Sequence, residues 1–445
     1  YDNGDLSNYD EIQDDNVFTG SFIFDPDVTG EVFLQIVTTY TNASGRQAAA
    51  RSSIVKLVVY ADIPFDAYSA IEEASQMATD YFLERVNENV NRIDRSLDET
   101  VSYLIAMDQV QNAVRTGYNT IEIDYKSGLS SNMVFSFNDG NGFITRQGTF
   151  PARNAKPALP LAQQTVGTSI STGRLSNTCD LSDDIIGNRK VLIYAPYENI
   201  FGDDATEKIE DILDDSDFDF DLTILSNQNA NIDAIQTFTD YGMVILQTHG
   251  SVGEWFLTGE EVTAAKANRP EIKALQLAKK LRIFHNVQIN TLLWFWEIEE
   301  DVWGASHRYI KDLNKSFPNS VIVNSSCQST QTDKLGQAFL GKGAETYFGF
   351  SENVSNGFAS DVEVEIVRTL VEEEKTAGEV NLVGDADPQT GVSISIPQAI
   401  LEISGNTNLK YPTSLINGDF ECGSLVGWNK EGDGRYLTGL GTAKP

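Results

Sequence analysis

The chain reads as an α/β protein built on a doubly wound, mostly parallel sheet, and two observations predict it. Five short apolar runs, VLIYA (191–195), FDLTIL (220–225), YGMVILQTHG (241–250), VIVNSSC (321–327) and ETYFGF (345–350), have strand length and are rich in β-branched and aromatic residues. Helical stretches at 203–213 and 231–238 separate the first three. Strands that alternate with helices pair in parallel and are covered on both faces. Ligands of such sheets bind outside the carboxyl ends of the strands.

The elements ahead of this sheet follow in order. Residues 17–60 carry three strand-like runs, VFTGSFIF, EVFLQIVTTY and SIVKLVVY, separated by the turn-rich DPDVTG and TNASGRQAAAR. Three strands are few for a closed sandwich, so residues 1–65 are expected to form a small β-rich, Ig-like segment. Residues 66–116 contain neither Pro nor Gly, and Ile71, Ala74, Ala78, Phe82, Val86, Val90, Ile93, Leu97, Val101 and Leu104 recur at helical steps. That predicts one long amphipathic helix or a hairpin of two. TIEIDY and MVFSFN then form a β-hairpin that completes a 66–147 subdomain. Residues 148–189, rich in Pro, Ser, Thr, Gly and Asn and carrying Arg153, Lys156 and Arg174, read as an exposed linker.

The α/β domain is expected over 190–410. Within it, residues 257–320 exceed a single crossover and include the run LLWFWEIEEDVW, which suggests an inserted set of helices walling the site. Residues 411–445 change in character. Asn417, Gly418, Asp419, Phe420, Glu421, Gly427 and Trp428 resemble the opening of a galactose-binding-like jelly roll, a type common among carbohydrate-binding modules. The resemblance implies carbohydrate contact through this tail, or a tail that docks as strands on a neighbour.

Composition narrows the function classes. The 65 acidic and 32 basic residues give a formal charge of −33, which repels phosphate backbones and anionic lipid, so nucleic acid is not an expected partner. No apolar run reaches the ~18 residues of a membrane helix, so no membrane insertion is expected. The opening YDNGDLSNYDEIQDD has no basic or apolar leader character, and the expectation is a secreted or cell-surface protein whose export signal has been removed. Cys179, Cys327 and Cys422 are odd in number and widely spaced without a CxxC, which indicates neither a zinc site nor a disulfide framework. The acidic string at 214–221 offers the oxygen ligands calcium takes but lacks EF-hand spacing, so a solvated turn is expected, with calcium as the alternative. No metal ligand set and no required organic cofactor emerge.

The chemistry gathers at two strand ends. His249 closes the third apolar run and Cys327 the fourth, so both stand at the carboxyl edge of the predicted sheet. A thiol attacks an acyl carbon as thiolate, which calls for a nearby imidazole and for donors to the developing oxyanion. Gly250 lets the backbone turn sharply and present its N–H, and the Cys327 N–H supplies a second donor.

An apolar strand ending in His-Gly, followed by one ending in Ser-Cys, resembles the clan CD cysteine peptidases, the caspase-like group that includes gingipains, clostripain, metacaspases and legumain. The downstream KLGQAFLGKGAETYFGFSENV is similar to the helix, Gly-Ala step and strand of bacterial members. The resemblance covers roughly residues 190–374. It implies a caspase-like sheet, His249 as general base, Cys327 as nucleophile, Gly250 and Cys327 as oxyanion donors, and a protein or peptide substrate. Two departures stand out: Ser325 occupies the position where clostripain-like enzymes carry an Asp that reads a basic P1 residue, and the His-to-Cys interval of 78 residues is long. Glu198, in the loop after the first strand, is a candidate for reading Arg or Lys at P1, with Glu254 and Asp333 as further substrate-binding candidates. His285 and His307 have no such context and read as structural. The expected function is a secreted or surface bacterial cysteine endopeptidase; the alternative is a catalytically silent caspase-like scaffold within a multidomain adhesion protein.

Overall fold

The structure, a computed structural model, describes residues 30–41, 44–59, 63, 66–88, 93–116, 120–138, 184–290, 295–298, 301–390 and 398–412. The chain divides into two compact units, Tyr1–Pro64 and Phe65–Pro445.

In the first unit, β1 (Gly30–Leu34), β2 (Val37–Thr41), β3 (Gln47–Arg51) and β4 (Val55–Val59) form two antiparallel pairs, β1 with β4 and β2 with β3. EVFLQIVTTY, expected as one strand, breaks at Gln35–Ile36, where Ser52 takes over: the Gln35 amide donates to its carbonyl and the Ile36 N–H to its hydroxyl, each at 3.0 Å. QAAAR, read as part of a turn, is strand β3, because pairing with β2 overrides the weak β-propensity of alanine. VFTGSFIF lies outside the described residues.

The second unit opens with helices α1 (Ala67–Glu88) and α2 (Ile93–Ile105), a hairpin of two rather than one long helix. Ile71, Ala74, Ala78 and Phe82 are fully buried along one stripe of α1, as the three- and four-residue spacing requires. Strands β5 (Val110–Thr116), β6 (Thr120–Tyr125) and β7 (Ser130–Asn138) follow as an antiparallel meander. From there the chain builds β8 (Lys190–Ala195), α3 (Glu198–Phe201), α4 (Asp204–Asp214), β9 (Asp221–Ser226), α5 (Ile232–Ile235), β10 (Met243–Leu246), β11 (Gly250–Ser251), β12 (Trp255–Glu261), α6 (Ala264–Ala267) and α7 (Pro270–Leu277). It continues with β13 (Leu281–Asn290), β14 (Phe295–Ile298), β15 (Val302–Ser306), α8 (His307–Lys311), β16 (Ser320–Asn324), α9 (Lys334–Leu340), β17 (Ala344–Phe350), α10 (Asn356–Val367) and β18 (Leu401–Gly405).

This unit is mixed α/β and holds two sheets. The six-stranded sheet runs β18-β17-β16-β10-β8-β9, parallel except for the antiparallel edge strand β18. Counted from β8, the parallel strands have the doubly wound order 2-1-3-4-5, whose switch point falls between β8 and β10. Their runs are continuously apolar because both faces are covered. Val191, Ile193, Met243, Ile245, Val321 and Val323 pack with α4 and α10 in one core, each at most 1% exposed. At roughly 1.5–3 kcal/mol for each buried aliphatic side chain, this core fixes the strand ends that carry the site.

The second sheet corrects two expectations. It runs β11-β12-β15-β13-β7-β6-β5, with β14 on β13, so the 66–147 hairpin is not a separate subdomain: β7 pairs in parallel with β13 from Ile283↔Ser131 onward. The 257–320 insertion is likewise built mainly of strands rather than helices. LRIFHNVQIN alternates with period two, the signature of a strand with two differently occupied faces, and the aromatic run beside it masked that pattern. The linker residues Arg153, Lys156 and Arg174, together with Cys179, Cys422 and the jelly-roll-like tail, lie outside the described residues.

Candidate functional site

The loops after β8 and β10 flank the switch point of the six-stranded sheet. From β8 the chain passes Pro196 and Tyr197 into α3; from β10 it passes Gln247 and Thr248 to His249. The half-buried His249 ring packs edge-on against Tyr197, centroids 4.5 Å apart, and against Phe201 at 5.1 Å. Tyr197 and Phe201 pack in turn with Trp255, Leu257 and Phe284 of the second sheet, which therefore walls the His249 side. Gln247 is fixed from behind: its Nε2 donates to the fully buried Glu363 carboxylate at 2.7 Å, and its Oε1 accepts from Thr206 at 3.3 Å.

The neighbouring strand β16 delivers Ser325, Ser326 and Cys327. A Cβ on Gly250 would stand 2.7 Å from Ser326 Cβ and 2.9 Å from the Cys327 carbonyl oxygen, closer than side chains pack. Glycine is therefore required where the His-Gly loop meets the Ser-Cys loop. The same two loops are stapled further along. Thr332 Oγ1 donates to the Val252 carbonyl at 3.0 Å, the Leu335 N–H to the Gly253 carbonyl at 3.0 Å, and the Val252 N–H to Gln328 Oε1 at 3.3 Å. Val252 and Gln328 hold φ at 53° and 57°, the left-handed region that costs a β-branched residue most. Strain of about 1–3 kcal/mol per residue persists only where surrounding contacts enforce it, and such residues cluster at functional sites.

Cys327 itself is fully buried. Its Sγ accepts the Val354 N–H at 3.3 Å and donates to the Val354 carbonyl at 3.6 Å, so the thiol lies in the core with Val323, Phe350 and Phe358. The segment 351–356 touches both sides of the arrangement, because Asn356 Nδ2 donates to the Phe201 carbonyl at 2.8 Å while Val354 holds the thiol. A buried Asp387 carboxylate anchors this segment through the Ser355 N–H at 2.7 Å.

Other sequence-predicted residues are scattered. Glu198, half-buried, begins α3 beside the His249 cage. Glu254 pairs with Lys334. Asp333 is an exposed residue at the start of α9, and Ser325 is fully buried with its N–H on the Leu246 carbonyl at 3.0 Å, so neither it nor the Cys327 thiol faces open solvent. His307 is held below its ordinary pKa, first by burial. Among the described residues no group of three or more His, Cys, Asp or Glu is placed to hold a metal ion, and no helix is long and apolar enough to cross a membrane.

One residue at this edge escaped the sequence reading. Glu352 stands two residues past the end of β17; burial pushes its carboxyl up to about 7, and its Oε2 has no hydrogen-bond partner among the described residues. Gln328 Nε2 and Ser251 Oγ in the loops likewise have no partner among the described residues. Position alone could have found Glu352, since it stands at the carboxyl end of a parallel strand just as His249 and Cys327 do.

No protein family known by its sequence profile matches the chain, and no solved structure matches it. It is similar to an uncharacterized protein of Archaeoglobus fulgidus, 35% identical over an alignment of 63 residues, with 12% of this chain and 33% of that protein covered. The chain thus spans about a third of that relative.

Proposed function

We propose that the second unit is a cysteine peptidase of the caspase-like type, with His249 as general base and Cys327 as nucleophile. The observation that carries this reading is the meeting of the His-Gly and Ser-Cys loops through Gly250 at adjacent parallel strand ends, beside the switch point. In the proposed reaction His249 takes the thiol proton as sulfur attacks the scissile carbonyl. The tetrahedral oxyanion then collapses, the amine leaves with the proton from His249, and water hydrolyses the thioester with His249 again as base. Because Val354 covers the thiol, substrate entry requires segment 351–356 to move aside. Glu198 and Glu352 are the acidic groups available to read a basic P1 side chain, and the linker arginines and Lys156 are candidate cleavage points. A secreted or surface location, and carbohydrate contact through the tail, belong to the same proposal.

The burial of Cys327 and its two hydrogen bonds to Val354 favour a second reading, a caspase-like scaffold without catalysis. Treatment with a peptidyl acyloxymethyl ketone separates the two. Covalent labelling of Cys327 that disappears in His249→Ala supports the peptidase; an unlabelled Cys327 in a protein that also cleaves no peptide library supports the scaffold.

A further inference from the structure

A second site lies away from the strand-end loops, between helix α1 and the eight-stranded sheet. It is a pocket of about 340 Å³, large enough for a small ligand, lined among other residues by Tyr68, Glu72, Ser75, Glu261, His285 and Asp301. We propose that it binds a small organic cation carrying a guanidinium or primary ammonium group.

The lining is rich in acceptors. His285 is 95% buried, and its Nδ1 lies 2.6 Å from Asp301 Oδ1, so in the neutral ring Nδ1–H donates to the carboxylate and Nε2 is left as an acceptor. Nε2 has no partner among the described residues. Glu72 and Glu261 stand at the same pocket, and its described lining includes no Lys or Arg. Tyr68 has committed its hydroxyl proton to the Val262 carbonyl at 3.3 Å and so presents only its oxygen lone pairs. The field of the pocket registers on that phenol, raised to about 12 by burial first and then by Asp301 and Glu72. A guanidinium offers donors and no acceptor, and an ammonium the same, so each matches the unpartnered His285 Nε2 and the carboxylates of Glu72, Glu261 and Asp301 that line the pocket. A neutral ligand would gain nothing from the field of the three carboxylates, and an anion would be repelled by it. A divalent ion fits less well, since no group of three His, Cys, Asp or Glu ligands converges among the described residues.

Calorimetric titration of the whole chain with agmatine, with N-acetyl-arginine amide and with neutral N-acetyl-glutamine amide tests the site. Saturable 1:1 binding of either guanidinium probe and none of the glutamine amide is expected. Glu72→Gln with Glu261→Gln should weaken binding about tenfold or more, while Glu210→Gln on the exposed face of α4 leaves it unchanged. The control matters because a chain of charge −33 attracts cations everywhere. With three histidines in the chain, ¹⁵N spectra distinguish His285, whose Nε2 resonance should move on saturation. Binding of agmatine alone points to a free amine, and equal binding of the amide points to a basic side chain of a peptide. The proposal is overturned if neither probe saturates, if the carboxylate variants bind as tightly as the parent, or if calcium chloride alone titrates the pocket in place of both.

Discussion

The Cys327 sulfur sits 3.3 Å from the Val354 amide nitrogen and 3.6 Å from the Val354 carbonyl oxygen. The backbone of one residue therefore satisfies the thiol as donor and acceptor, in a core where an unpartnered polar group would be costly. Reactivity is set by how often segment 351–356 opens. The Asp387 carboxylate that accepts the Ser355 N–H is the charged group among its tethers, and removing a hydrogen bond to a charged group is worth about 1.5–3 kcal/mol. Asp387→Ala should raise the rate of Cys327 alkylation by iodoacetamide about tenfold or more in otherwise native protein. An unchanged rate, read by mass spectrometry of the Cys327 peptide, would show that opening occurs elsewhere.

Gly250 gives a sharper structural expectation. A methyl group there overlaps Ser326 and the Cys327 carbonyl, and Ser326 cannot yield freely because its Oγ donates to Asn324 Oδ1 at 2.7 Å. Gly250→Ala should destabilise the unit by about 1–3 kcal/mol, the usual range for forced overpacking. Thermal unfolding checks it, and an unaltered midpoint would mean that the two loops part easily.

How legible was this from sequence? The apolar runs ending at His249 and Cys327 form parallel neighbours, and their common edge is the one predicted, because a strand buried on both faces writes itself as an unbroken apolar run. The second sheet was hidden for the opposite reason. LRIFHNVQIN carries Arg282 and His285 on a strand interior, where each is buried with a carboxylate, Glu122 and Asp301, that reaches it from another segment of the chain. Such pairings leave no local signal. The direction of the Cys327 thiol was equally unreadable, since its partner is a backbone group 27 residues away.

His249 is held by Tyr197 and Phe201 rather than by core packing of its own, so its removal should spare the fold. If the proposed reaction is right, His249→Ala lowers peptide turnover by about 100-fold or more while far-UV circular dichroism stays unchanged. Turnover within threefold of the parent would transfer the role of base to another group, with Glu352 the next to test.

Glu352 carries the clearest pH signature. Its carboxyl is raised from 4.5 to about 7 by burial, and no partner among the described residues offsets the cost of its charge. Between these values the folded chain binds more protons than the unfolded chain, so unfolding free energy falls as pH rises through that window. Below 4.5 both states are protonated and the residue costs nothing; above about 7 the full penalty applies, at most about 3 kcal/mol. Glu352→Gln should therefore match the parent in stability at pH 4 and exceed it at pH 8. Urea unfolding followed by the fluorescence of buried Trp255 and Trp303 reads the difference within this unit. A stability gap of the same size at both pH values would mean that packing, not charge, separates the two side chains, and would remove Glu352 from the list of proton-exchanging groups at this edge.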